Sequence, residues 1–103
     1  MQPNPIPIRL KEARKLKRIS QKELGIRAGM DEQVASARMN QYEKGKHAPD
    51  IELLRRIARE LNVPLSYFFC DDETSAEIVK QLEKLSDADR LEILEVIKEK
   101  AGK

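Results

Sequence analysis

The run from Ile19 to Pro49 constrains this chain more than any other stretch. It holds two short helical patterns separated by a glycine, the second closed by a glycine and then a proline. Ser20 followed by Glu23 is a capping-box pattern, in which the serine oxygen accepts the exposed amide of residue 23 and the glutamate reaches back. A helix therefore starts at Gln21 and stops near Gly29. Ala35, Met39 and Tyr42, spaced i, i+4 and i+7, form the apolar stripe of a further helix, which Gly45 ends and Ala48-Pro49 prevents from resuming. Between the two, Asp31 to Val34 fits a loop, a single turn or the start of the next helix.

At 103 residues and 40% hydrophobic content the chain buries one modest core, with room for an appended element but not for two full domains. Two Tyr and two Phe are the only aromatics, so that core is built from Leu, Ile, Val, Ala and Met, which favours an all-α fold. Pro3, Pro5 and Pro7 predict an extended, mobile arm over residues 1–7, with Pro7 suited to a first helical turn. Ile8, Ala13 and Leu16, with Leu10, Arg14 and Lys17, fit a helix running to about Arg18. Asp50 caps a fourth helix with the apolar set Ile51, Leu54, Ile57, Ala58 and Leu61, and a short fifth helix after Pro64 would bury Leu65, Phe68 and Phe69. These elements make a unit over residues 8–70. Beyond it, Thr74 with Glu77 and Ser86 with Asp89 cap two more helices, a hairpin over residues 71–103. The second of these, with Leu91, Ile93, Leu94, Val96 and Ile97, is apolar over a wider arc than a two-helix hairpin covers. The surplus belongs against the first unit or against the same hairpin of a second copy.

The formal charge of +2 is unevenly spread. Residues 1–70 carry 14 Lys/Arg against 8 Asp/Glu, giving +6, and residues 71–103 carry 6 against 10, giving −4. The basic part suits a polyanion; phosphate would repel the acidic part, which therefore faces elsewhere. A single cysteine, Cys70, excludes an intrachain disulfide and a cysteine-rich metal site and fits a reducing interior. No apolar run approaches the roughly 20 residues that span a bilayer, and Met1 to Pro7 is no leader, so a cytoplasmic protein is expected. With one His, one Cys, no glycine-rich phosphate loop and no metal-ligand spacing, no enzyme, cofactor or metal is expected. Asp71-Asp72-Glu73 reads as a solvated linker run.

Stepping 100° per residue, the side opposite the Ala35, Met39 and Tyr42 stripe carries Ala37, Asn40, Gln41 and Lys44, with Ser36 and Arg38 on its flanks. One apolar seam and one polar face is how a helix presents side chains to a DNA groove. Ser20-Gln21 and Leu24, Ala28-Gly29, Met39 and Tyr42, Glu43-Lys44-Gly45, Pro49, Leu53-Leu54, Ile57-Ala58, Leu61 and Val63 occur in the order of one pattern. On these residues Arg9 to Phe69 resembles the helix-turn-helix domain of the lambda-repressor and Cro-like, or XRE, family.

That resemblance implies a five-helix bundle whose third helix enters the major groove of operator DNA, usually in a dimer. It implies base reading by Ser36, Ala37, Arg38, Asn40 and Gln41. Arginine bridges guanine O6 and N7, and Asn or Gln pairs with adenine N6 and N7. Gln21 matches the family residue that bonds a phosphate, and Lys44, Lys46 and His47 stand where they would grip the backbone on the other side; His47 fits an exposed loop histidine equally well. Tyr42 fits the core rather than a stacking role. The interval from Gly29 to Gly45 is about four residues longer than the family's, with the excess at Met30 to Val34, inside the turn of the motif, where it would project Asp31 and Glu32 toward solvent or alter how deeply the third helix sits. Gly25 stands where the family commonly has Ala, which predicts close packing of the second helix on the third. The expected function is a sequence-specific, double-stranded-DNA-binding repressor, a homodimer through its C-terminal helices. The competing class is a protein-interaction module, such as an antitoxin, that uses the fold to hold a partner protein.

Overall fold

A computed structural model describes residues 4–102 of the chain. Its elements are α1 (Ile6–Leu16), α2 (Gln21–Arg27), α3 (Glu32–Glu43), α4 (Ile51–Leu61), a 3-10 helix (Leu65–Phe69), α5 (Glu73–Leu82) and α6 (Asp87–Ala101). No strand occurs among the described residues. The architecture is thus all-helical: a five-helix unit of the lambda-repressor type followed by two C-terminal helices.

Local chemistry sets most of the boundaries. Ser20 Oγ accepts from the Glu23 amide at 2.9 Å, Asp50 Oδ1 from the Leu53 amide at 2.8 Å, and Ser86 Oγ from the Asp89 amide at 3.1 Å. The Glu23 carboxylate does not close the box; it pairs with Arg27 one turn on, at 2.8 Å. Both α2 and α3 end in a left-handed glycine, Gly29 at φ +102° and Gly45 at φ +76°. In each case the next amide bonds back five residues, Met30 to the Gly25 carbonyl and Lys46 to the Gln41 carbonyl, both at 2.9 Å.

Several expectations shift. The first helix begins at Ile6, with Pro5 as its cap and Pro7 in its first turn, so residues 6 and 7 are helical rather than part of an arm; Pro3 lies outside the described residues. It ends at Leu16, and Arg18 takes φ +59° in the turn that follows. Ile8, Leu16 and Ile51 are exposed. The α1 interior is instead Arg9, Leu10 and Ala13. Asp72, not Thr74, caps α5, its two oxygens accepting from the Ser75 amide and hydroxyl at 2.7 and 3.0 Å, while Glu77 pairs with Lys80. An aspartate in extended backbone offers two acceptors where threonine offers one, and the helix starts earlier for it. After Pro64 the buried aromatics are Tyr67 and Phe68, stacked edge to face at 5.6 Å, and Phe69 is half exposed.

Arg9 is buried because three backbone and side-chain acceptors surround it. Its Nε donates to the Cys70 carbonyl at 3.0 Å, and its Nη1 reaches Glu12 and Glu73 at 3.0 and 3.1 Å. The Tyr67 hydroxyl donates to the same Glu12 carboxylate. Burial pushes that carboxyl up, but the hydrogen bonds from Tyr67 and the Arg9 guanidinium outweigh it and hold Glu12 below the usual carboxylate range. Burial, reinforced by Glu12, raises the Tyr67 phenol. One network therefore ties α1, the 3-10 helix and the start of α5, and Ala76 completes the core beside it.

The core runs through Leu10, Leu24, Met39, Leu54, Ile57, Leu61, Tyr67 and Phe68. Gly25 belongs to it by its smallness. A Cβ there would lie 2.8 Å from Ala35 Cβ and 3.1 Å from both the Ala35 carbonyl oxygen and Met30 Sδ. Close packing of α2 on α3 is thus the reason for glycine. Gly25→Ala is expected to destabilise the fold by about 1–3 kcal/mol through overpacking; a urea denaturation midpoint equal to that of the parent would show that the helices part at no cost.

Of the two C-terminal helices, α5 joins this core through Ala76, and α6 stands apart from it. Arg90 donates to the Leu82 and Glu83 carbonyls at 3.0 and 3.3 Å and fixes the turn between α5 and α6. The two helices flank an open groove of about 570 Å³ lined chiefly by Ile78, Leu82, Leu85 and Ile93. No residue of α6 is buried. Its apolar surplus is therefore not covered by the first unit.

Candidate nucleic-acid interface

Four residues, Ala28 to Asp31, separate α2 from α3. Asp31 caps α3, its carboxylate accepting from the Gln33 amide at 2.9 Å. The excess expected inside the turn is therefore only partly there: Met30 and Asp31 belong to the turn, and Glu32 to Val34 are the first residues of α3, because the Asp31 cap starts the helix early. Of the three alternatives for Asp31 to Val34, the helix start is the one realised. Asp31 and Glu32 face solvent, and Lys22 pairs with Glu32 at 3.5 Å.

On this longer helix Ala35, Met39, Tyr42 and Glu43 point inward, and Tyr42 is a core residue. Ser36, Ala37, Arg38 and Gln41 are all exposed and Asn40 is half-buried. They do not occupy one line. Ser36 lies on the α2 side with Lys22 and Gln33, whereas Arg38 lies on the α4 side, in a cleft of about 480 Å³ that it shares with Asp31, Asp50 and Arg56. Ala37 and Gln41 stand between them, with Lys44 at the end. Gln33 is exposed and lies one turn ahead of Ala37 on the same side. Sequence reasoning missed it because the helix start was undecided; the signal was the Asp31 cap two residues before it.

A hydrogen-bonded cluster holds α3 against α1 and α2. Arg14 Nε and Nη2 donate to the two oxygens of Glu43 at 2.5 and 3.1 Å, and Arg14 Nη1 donates to the Ile19 carbonyl at 2.9 Å. Both side chains are largely withdrawn from solvent, at 12% and 2% exposure. Gln21 Nε2 donates to Glu43 Oε1 at 3.0 Å and to Asn40 Oδ1 at 3.2 Å. The Gln21 amide nitrogen thus has both protons engaged within the protein. Arg56 Nε donates to the Ala28 carbonyl at 2.9 Å and anchors the end of α2 to α4. The orientation of the outward face is therefore set by bonds from α1 and α2, with α2 in turn anchored to α4.

Lys44, Lys46 and His47 are exposed on the far side of that face, at the C-terminal end of α3 and in the loop after it. The back-bonded Gly45 turn fixes the backbone from which Lys46 extends. Among the described residues no helix is long and apolar enough to cross a membrane.

Two helices joined by a four-residue turn, the second presenting a polar, exposed face, define a helix-turn-helix protein. The helix-turn-helix family model matches residues 10–68, and the chain belongs to that family, as an XRE-like helix-turn-helix regulator. The solved structure of the transcriptional regulator BswR is similar to it at 38% identity and a TM-score of 0.82, over 91% of this chain and 93% of that one. No sequence match is found among curated proteins.

Proposed function

We propose that this protein is a cytoplasmic, non-enzymatic, sequence-specific transcriptional repressor that binds an inverted-repeat operator as a homodimer. The observation that carries the reading is the exposed face of α3, braced by the Arg14, Glu43 and Gln21 cluster. Bases would be read by Ser36, Ala37, Arg38, Asn40 and Gln41, with Gln33 ahead of them. Phosphates would be held at the rim by Lys44, Lys46 and His47. Gln21 stands half-buried at the start of α2 with its amide nitrogen bonded to both Asn40 and Glu43, so its side chain serves α3 before it serves a phosphate. Repression needs occupancy alone, which suits a chain of this size.

The dimer rests on α6. Leu91, Leu94, Val96 and Ile97 are exposed on it; Asp87, Asp89, Glu92 and Glu95 outnumber Arg90 in its first part, and Lys98 and Lys100 outnumber Glu99 near its end. Two such helices laid antiparallel match acidic start to basic end across an apolar seam. A two-fold pair then sets the two α3 helices toward half-sites about 10 base pairs apart.

Arg38→Ala is expected to weaken operator binding by about 1–3 kcal/mol and to leave binding to random duplex unchanged. Lys46→Ala is expected to lower affinity for every duplex alike and to flatten the dependence of binding on salt. Titrations of both variants against operator and scrambled DNA, at several salt concentrations, separate the two roles. Equal loss of both DNAs in Arg38→Ala would remove Arg38 from base reading, and an unchanged salt slope would remove Lys46 from the phosphates.

A further inference from the structure

A chain of hydrogen bonds runs from the interior to the outward face of α3, and its polarity decides what Asn40 can read. It begins at Arg14, which donates through two nitrogens to Glu43. A carboxylate so paired only accepts. The Gln21 atom 3.0 Å from Glu43 Oε1 is therefore the amide nitrogen, and not the oxygen of nearly identical shape. That nitrogen also lies 3.2 Å from Asn40, so the atom it meets there is the Asn40 oxygen. The charge of Glu43 thereby orients two amides in succession, and Asn40 Nδ2 is left without a partner among the described residues, at the edge of the exposed face.

We propose that Asn40 acts on DNA as a donor only, and that it selects guanine. A free asparagine pairs with adenine by giving a hydrogen bond to N7 and accepting one from N6. Asn40 has its oxygen turned in to Gln21; that oxygen keeps a second lone pair, but the atom left unpaired to meet a base is Nδ2, so the donor half of the pair is presented and the acceptor half is not. Guanine presents two acceptors, N7 and O6, side by side in the major groove, and cytosine presents a donor there. The inference rests on the operator-binding reading and makes Gln21 a positioning residue for base choice.

The test is to select from random duplex DNA with the wild-type protein, Asn40→Ala, Asn40→Asp and Gln21→Leu, each first checked for helical content and unfolding midpoint. One base pair of the wild-type site should lose its preference in Asn40→Ala. At that pair the wild type should favour guanine over adenine about 5- to 150-fold. Asn40→Asp, which accepts the Gln21 bond but donates nothing, should lose the guanine preference with the fold intact. Gln21→Leu, which releases the Asn40 oxygen, should move the preference toward adenine. Adenine favoured by the wild type, a Gln21→Leu profile like that of the wild type, or uniform loss on all duplexes in Asn40→Ala would each overturn the proposal while leaving a DNA-binding regulator in place. No enriched sequence with the wild type would overturn the operator reading and this inference together.

Discussion

Arg14→Ala is expected to destabilise the protein by about 3–5 kcal/mol, because it leaves the Glu43 carboxylate buried without its cation. The Glu43 side chain is 2% exposed and receives two bonds from Arg14, so water cannot replace the lost partner without entering between α1 and α3. A surface ion pair would contribute little, about 0–1 kcal/mol, and burial of both groups makes the difference. Loss of Arg14 also frees the Ile19 carbonyl at the entry to α2. Arg14→Lys keeps the charge without the two-pronged geometry and should recover only part of the loss. Urea unfolding followed by far-ultraviolet circular dichroism measures both variants. A loss below about 1 kcal/mol for Arg14→Ala would place the pair in the surface class and detach the α3 face from its brace.

Putting aspartate at both Leu94 and Ile97 is expected to leave the first unit folded, to give a monomer, and to lower operator affinity by about 10²- to 10⁴-fold. That is the range set by the effective concentration of a second linked site. No α6 residue is buried in the single chain, so charges placed there meet the fold only through an assembly. Sedimentation equilibrium and operator titration read the two effects separately. A wild-type protein that is already monomeric at the concentrations where it binds DNA would remove α6 from dimerisation. The groove between α5 and α6 would then be a surface for another protein, and the reading of the fold as a protein-interaction module would gain.

The elements legible in the sequence were those whose signal is local. Ser20, Asp50 and Ser86 cap the helices they were expected to cap, since the serine or aspartate and the amide it bonds lie three residues apart. Tyr42 was legible as a core position from its spacing on the Ala35 and Met39 stripe, and the close approach at Gly25 followed from the family resemblance, since the family commonly has Ala there. What escaped depends on groups distant in the chain. Periodicity counts Arg9 as polar, and nothing near it announces that acceptors at residues 12, 70 and 73 make its burial favourable. With Arg9 inward, Ile8 and Leu16 turn to solvent. Tyr67 replaces Phe69 in the core because its hydroxyl finds Glu12, a partner 55 residues away. At the candidate interface the face of α3 was readable and its support was not. Glu43 lies four residues beyond Met39, hence on the inward side, and Arg14 falls within the pattern of the first helix, but only the packing of α1 on α3 joins them. The start of α3 is likewise ambiguous in the sequence, because Asp31 fits a loop as well as a cap, and with it the place of Gln33 on the face.

The most direct test of a dimeric operator-binding regulator is selection from random duplex DNA with the purified full chain near physiological salt, followed by sequencing of the retained pool. An enriched inverted repeat whose half-sites are centred about 10 base pairs apart is the expected result. Salt-sensitive retention of bulk DNA without any enriched sequence would contradict it.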